Sequence, residues 1–290
     1  MKATPECMAC LFRQALNVGR IVSTDQPLLA RLLRRVAAYA ASASLDQTPA
    51  RFSQPVYRFA AELAGVADPY REQKRATNAA ALALLPRVRA LVASAPDPLE
   101  RALHAAVMGN VIDFGIHASV DVTSAILDVL ERPFALTVYD RFRTRLGPGR
   151  NLLYLGDNAG EIVFDRLCVE HLLETGTEVV FAVKSGPILN DALREDAEAV
   201  GLADLVRVIE TGGADIGVDW ASVGAEFRAE VARADVILAK GHGNFETCCD
   251  RAEPFFFLLQ AKCPVVADEL RCRVGDLVFA AGAGAERKAE

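Results

Sequence analysis

Apolar residues recur at helical spacing through the first half of the chain. Cys10–Val22 carries one such stripe, and Pro27–Ala43 repeats it with Leu28, Leu29, Leu32, Leu33, Val36 and Tyr39. Further helical stretches are expected over Pro55–Leu63, Asn78–Ala95, Leu99–Ile116 and Val120–Leu130, with Pro86 tolerated inside one of them. Thr48-Pro49, Asp68-Pro69-Tyr70 and Ser94-Ala-Pro-Asp-Pro98 punctuate them. Before residue 145 neither a strand-like run nor an internal repeat stands out.

The rhythm changes at Gly147-Pro148-Gly149-Arg150. Short β-type runs follow at Asn151–Gly156, Glu178–Val183, Leu205–Ile209, Asp235–Ala239, Pro264–Ala267 and Asp276–Phe279, with amphipathic stretches between most of them. Such alternation predicts an α/β fold with a largely parallel sheet covered on both faces. The expected organisation is a helical domain over residues 1–146 and an α/β domain over 147–290, with a frayed tail from Ala281.

Composition narrows the class. Of the 290 residues, 52% are hydrophobic, ample for a packed core, and no uninterrupted apolar run approaches a membrane span. Met1-Lys-Ala-Thr-Pro-Glu-Cys7 has no signal-peptide core, so a soluble cytoplasmic protein is expected. A net charge of −6 argues against a nucleic-acid partner, which would need a basic stripe. Only six lysines occur, which singles out Lys184, Lys240 and Lys262. Seven cysteines, an odd number without a secretion signal, are read first as reduced thiols. For Cys7-x-x-Cys10 a second metal site or a redox switch stays open, although no matching C-x-x-C exists and a zinc would have to draw on Cys248, Cys249, Cys263 or Cys272.

The expected strands end in polar clusters: Gly156-Asp-Asn-Ala-Gly-Glu161, Lys184-Ser-Gly-Pro-Ile-Leu-Asn-Asp191, Glu210-Thr-Gly-Gly-Ala-Asp215, Lys240-Gly-His-Gly-Asn-Phe-Glu246 and Asp268-Glu269. In a parallel sheet these lie on one edge, where open α/β folds bind ligands. The stretch Asn151–Asp165 reads as strand, tight turn and helix, so helix N–H groups and the positive dipole end favour an anion there. Asp157, Asn158 and Asp191 form a three-oxygen set suited to a hard divalent ion that also meets phosphate. The alternative is capping: Asp157 or Asn158 at the helix start, and Asp191 before a helix over Ala192–Val200. Lys240 and Gly241 follow an apolar strand directly. Glycine admits close approach of backbone to phosphate, and lysine supplies a point charge. The same segment also reads as a tight turn capped by Asn244, and His242, an acid/base candidate by position, reads first as a solvent-facing loop histidine. The patterns of P-loops and dinucleotide-binding loops are absent. In the helical half, Asn110 and Asp113 stand three apart in Gly109-Asn-Val-Ile-Asp-Phe-Gly115, able to face one site or to mark a helix end.

Taken in order, Gly109-Asn-Val-Ile-Asp-Phe-Gly115, the Gly156–Glu161 and Lys184–Asp191 clusters, Ala239-Lys-Gly-His-Gly-Asn-Phe-Glu246 and Ala261-Lys-Cys-Pro-Val-Val-Ala267 resemble the damage-control phosphatases, long listed as domain-of-unknown-function family 89. Cys7-Met-Ala-Cys10 resembles the prokaryotic, cysteine-bearing branch. The resemblance implies a helical N-terminal region joined to a Rossmann-like, three-layer α/β domain, with a metal-dependent phosphatase site between them. By motif position, Asp157, Asn158 and Asp191 would hold the metal. Asn110, Glu161, Lys240, Gly241, Asn244 and Lys262 would contact substrate or its phosphate, and Asp113 would close the site from the helical side. Substrates in the family are phosphorylated metabolites, including damaged or surplus sugar phosphates; a carboxyl methyltransferase activity is associated with some eukaryotic relatives.

The leading expectation is a phosphomonoesterase using Mn, Mg, Co or Ni, in which water attacks directly and Asp113 or Asp191 orients it. An aspartyl-phosphate route through Asp157 would want an acid two residues on, where Ala159 stands. The rivals are an S-adenosylmethionine-dependent carboxyl methyltransferase and a non-catalytic metal or redox sensor built on the cysteines. The first would call for a glycine-rich G-x-G loop in place of Gly156-Asp-Asn-Ala-Gly160.

Overall fold

The computed structural model describes residues 1–108 and 122–286. Helices fill the first half: α1 (Pro5–Val22), α2 (Gln26–Ala40), α3 (Pro49–Ala64), α4 (Arg71–Ala93), α5 (Pro98–Met108) and α6 (Val122–Glu131). A two-residue strand β1 (Leu136–Thr137) and α7 (Tyr139–Arg143) follow. The second half runs β2 (Asn151–Leu155), α8 (Glu161–Glu174), β3 (Glu178–Val183), α9 (Arg194–Ala199), β4 (Arg207–Glu210), α10 (Ala225–Arg233) and β5 (Val236–Lys240). It closes with α11 (Gly241–Cys248), β6 (Phe255–Gln260), α12 (Pro264–Leu270), β7 (Leu277–Ala281) and α13 (Ala283–Glu286). Among the described residues no helix is long and apolar enough to cross a membrane.

The strands form one sheet in the order β1-β7-β6-β5-β2-β3-β4. Every pairing is parallel except β6 with β7. Alternation along the strands sorts the core into two layers. Leu152, Tyr154, Phe181, Val236, Leu238 and Phe256 share a core with α4 to α8, while Leu153, Leu155, Ile237, Ala239, Phe255 and Phe257 pack on the opposite face with α10 to α12. The predicted three-layer, largely parallel α/β architecture is therefore present. Hydrophobic packing runs across Gly147: residues of α4, α5 and α6 share the sheet's core, whereas α1, α2 and α3 enclose a core of their own around Leu11, Leu32 and Phe52.

Two strands differ from expectation. Pro264–Ala267 opens α12, with Pro264 at the helix start, where a missing N–H costs nothing. The strand is the preceding Phe255–Gln260, whose run of aromatic and aliphatic residues is buried on both faces. The short β1 lies in the half expected to be helical and pairs with β7. Pro55 does not begin a helix but sits inside α3, which starts at Pro49 behind a Thr48 cap whose Oγ1 accepts from Arg51 N at 3.3 Å. The expected frayed tail is ordered as far as α13, where Ala285 is buried and its carbonyl accepts from Arg145.

Candidate active site

Strands β2 and β5 are neighbours, yet the chain leaves β2 toward β3 and reaches β5 from β4, on the same side. The next strand, β6, lies on the other side of β5, so strand order reverses between β2 and β5, the place where open α/β sheets bind ligands. The turn after β2 and the loop after β3 are tied together by main chain. Ala192 N donates to Asp157 O at 2.7 Å, Ala159 N to Asn190 O at 2.9 Å, and Asn158 bridges to Asp191. The first residue after β5 presses on the same turn. Gly241 has φ +78°, and a Cβ built on it would lie 1.9 Å from Asp157 Oδ2. Only glycine suits that position, for conformation and for space.

Asn158 Nδ2 donates to Asp157 Oδ2 at 2.9 Å and to Glu161 Oε1 at 2.8 Å. An amide between two carboxylates must turn its amino half toward them, which points Oδ1 the other way. Glu161 is spent on both oxygens, because Oε2 accepts from Lys240 at 3.2 Å. Asp191 is buried beside the Lys184 ammonium, 3.6 Å from its Oδ2. Asp157, Asn158 and Asp191 thus each keep one oxygen without a hydrogen bond from the described residues. Burial first, then Asp191 and Glu161, push the Asp157 carboxyl well above its usual range; burial first, with Lys184 opposing it, brings Asp191 up to about 6. Among the described residues no three of His, Cys, Asp and Glu converge as a metal set. The present set is instead two carboxylates and an amide, all hard oxygen donors, and that chemistry fits Mg²⁺ or Mn²⁺. Asp191 does not cap a helix: α9 begins later, behind Leu193. The start of α8 is also less open to an anion than expected, since Gly160 N, Ile162 N and Val163 N are already bonded to Asn78, Asn158 and Gly160.

Several predicted phosphate contacts are turned elsewhere. Lys240 is the last residue of β5, in register with Val236 and Leu238, so its side chain enters the core. It is fully buried and donates to Asp165 at 2.8 Å, Glu161 at 3.2 Å and Ala106 O at 2.5 Å. Asn244 lies within α11, buried, and donates to Gly156 O at 3.1 Å and Lys240 O at 2.7 Å. It binds the two strand ends together and is not the cap of a turn. Lys262 is exposed, follows β6 and lies close enough for its charge to bear on Asp157. It takes the edge position that the sequence reading gave to Asp268-Glu269, which are exposed on α12 instead. His242 is not a solvent-facing loop residue. It sits in α11 with Nε2 2.7 Å from Gln260 O and 2.8 Å from Lys262 N, serving one or the other according to tautomer, and burial lowers its pKa to about 4. Asn110 and Asp113 lie outside the described residues. All seven cysteines are free thiols; Cys7 Sγ accepts from Thr4 N at 3.5 Å and Cys10 Sγ from Gln14 at 3.2 Å.

Two residues of α4 escaped the sequence reading. Asn78 is buried, accepts from Gly160 N at 2.6 Å and donates to Asp196 at 2.7 Å. One turn earlier on the same face is Lys74, 2% exposed, with its ammonium 2.9 Å from Asp68 Oδ2. Neither atom of that ion pair has a partner in hydrogen-bond geometry among the described residues, and the ammonium's charge reaches Asp191. A scarce lysine and an asparagine four apart in an alanine-rich helix were the available signal.

The comparisons with known proteins agree with this arrangement. Residues 3–278 match the model of the damage-control phosphatase ARMT1-like domain. A damage-control phosphatase of Pyrococcus horikoshii is 33% identical over 282 residues, covering 96% of this chain and 97% of the relative. One from Archaeoglobus fulgidus is 31% identical over 283 residues, covering 96% and 98%. A crystal structure of a family 89 protein from Pyrococcus horikoshii superposes with a TM-score of 0.89 at 32% identity, covering 97% of this chain and 99% of the other. With a match over nearly its whole length, the chain belongs to the damage-control phosphatase ARMT1-like family.

Proposed function

We propose that this protein is a metal-dependent phosphomonoesterase of the cytoplasm acting on small phosphorylated metabolites, sugar phosphates among them. The observation that carries the reading is the backbone pairing of Asn158 with Asp191 at the strand-order reversal, beside Asp157, where each of the three keeps an oxygen without a hydrogen bond from the described residues. The names of the archaeal relatives support it. Asp157, Asn158 and Asp191 would hold a divalent ion such as Mn²⁺, Mg²⁺, Co²⁺ or Ni²⁺. When bound, such an ion supplies charge to the phosphoryl oxygens and acidifies neighbouring water.

The chain's own residues do the rest. Lys240 pins Glu161, and Glu161 pins the Asn158 amide, so the oxygen set is preorganised. Gly241 gives Asp157 its room. Lys74 and Lys262 approach from opposite elements and neutralise the phosphate. Asp191 is the described carboxylate at hand to orient the attacking water, and Ala159 offers no acid for an aspartyl-phosphate route. The test is phosphate release from para-nitrophenyl phosphate and a panel of sugar phosphates. Chelator-stripped protein would be given each metal in turn, with Asp157→Ala alongside. Turnover restored by metal and lost in the variant is expected. Metal-independent consumption of S-adenosylmethionine, with no phosphate released, would replace this reading with the methyltransferase one.

A further inference from the structure

A cavity of about 950 Å³ lies between α3 and the loops that follow β3 and β4. None of Asp157, Asn158 and Asp191 lines it; it adjoins their site rather than forming it. The connection is short. Ile188 is in its wall, and Ile188 O accepts from Asp191 N at 3.1 Å. Tyr57, also in the wall, is close enough to Asp191 to feel its charge.

The volume is at the upper end of what holds drug-sized ligands, roughly 300–1,000 Å³, and far exceeds what a sugar ring fills. Tyr39, Tyr57 and Trp220 provide aromatic surface, and Ile188 and Ile216 aliphatic surface. Each acid of the lining is held by a donor, one of them by a cation. Asp46 pairs with Lys2 at 2.8 Å, Asp215 accepts from Gln54 at 2.6 Å, and Asp219 accepts from Ala221 N and Ser222 Oγ. Of the two lining arginines, Arg58 faces Glu62 at 3.8 Å, whereas the Arg51 guanidinium has no acidic or hydrogen-bonding partner among the described residues. Asp215 and Asp219 keep their charge, held in place by neutral donors, and Arg51 is the lining cation with no acid beside it among the described residues.

Resting on the phosphatase reading, we propose that this cavity receives the alcohol portion of the substrate. The enzyme then favours phosphate monoesters whose alcohol portion is large, presents a flat or apolar face to the aromatic wall, and ends in a second negative group that meets Arg51. Neutral sugar phosphates would use little of it.

The test compares kcat/KM for para-nitrophenyl phosphate, fructose 6-phosphate, adenosine 5′-monophosphate and adenosine 3′,5′-bisphosphate, with the protein in its metal-loaded form. The bisphosphate is expected to be the best of the three metabolites. Its kcat/KM relative to the aryl phosphate should fall at least tenfold in Arg51→Glu, through KM, and return in Arg51→Lys. Ala61→Trp, which fills the lining, should lower that ratio as well. Trp220 is the chain's only tryptophan, so a saturable change in its emission on adding the bisphosphate to chelator-treated protein reports entry directly. Aryl phosphate turnover with no preference for the bisphosphate, no change in ratio in either variant and no emission change would overturn the subsite while leaving the phosphatase reading intact. No turnover of any ester with any metal would overturn both.

Discussion

Replacing Lys240 with methionine separates two roles for this residue. In the structure its ammonium is wholly buried between Asp165, Glu161 and Ala106 O. Asp165 is itself buried, donated to by Tyr154 at 2.6 Å, and raised to about 6 by burial, with Lys240 the main influence holding it down. Removing the lysine leaves two buried carboxylates without their cation. Breaking a buried pair from one side costs about 3–5 kcal/mol. At about 2–4 °C per kcal/mol for a chain of this order, the melting temperature should drop on the order of 10 °C. Lys240→Met with Asp165→Asn removes one of the stranded charges, and should recover much of the loss. The measurement is thermal unfolding of chelator-treated protein, so that lost metal binding does not contribute, alongside Michaelis kinetics on an aryl phosphate. If Lys240→Met melts within about 2 °C of the parent while KM rises at least tenfold, the lysine is a phosphate ligand and the reasoning from its burial is wrong.

Three further outcomes follow from individual contacts. Gly241→Ala drives a methyl group into the Asp157 carboxylate and strains φ +78°, so it should cost about 1–3 kcal/mol in urea unfolding and abolish metal-dependent turnover; parent-like kinetics would refute the packing argument. Glu246 is raised from 4.5 to about 7, chiefly by burial. Its neutral form is the one the fold favours, so stability declines as pH rises from about 4.5 to about 7, by up to about 3 kcal/mol, and then levels off. Glu246→Gln should flatten that decline and be the more stable protein at pH 8; denaturant curves that stay parallel from pH 5 to pH 8 would exclude the effect. Lys74→Met leaves Asp68 unpaired and takes a cation from beside Asp191, so KM for phosphate esters should rise about tenfold with a stability loss of a few kcal/mol; an unchanged KM would remove Lys74 from the site.

Much of the architecture is local and was therefore readable. The 3.6-residue stripes of α1, α2 and α4, and the alternation of β2, β3 and β5 with intervening helices, depend on residues close together in sequence. The turn carrying Asp157 and Asn158 could be located because a short apolar run ending at a glycine and resuming as a helix has few other solutions. Where local signals conflicted, the reading slipped. Pro264-Val-Val-Ala267 has β-type composition, but the proline suits a helix start equally well, and the neighbouring Phe255–Gln260 run competes for the sheet.

Side-chain direction was decided only in three dimensions. A single residue more of β5 places Lys240 on the α8 side of the sheet, because neighbouring strand residues face opposite ways, and a phosphate ligand becomes a buried counter-ion. Asn78 reaches the Asp157 turn from 82 residues away in the chain, and Lys74 brings its charge near Asp191 from still farther, proximities no spacing rule contains. Gly241 is legible as a turn glycine, but its necessity comes from Asp157, brought against it by the pairing of β2 with β5. By itself the sequence determined which segments coil, which extend and where the acidic turn lies, since those choices are made by each residue's nearest neighbours. The tertiary structure alone decided which polar groups are spent on one another and which remain for a ligand, because that depends on contacts between segments distant in the chain.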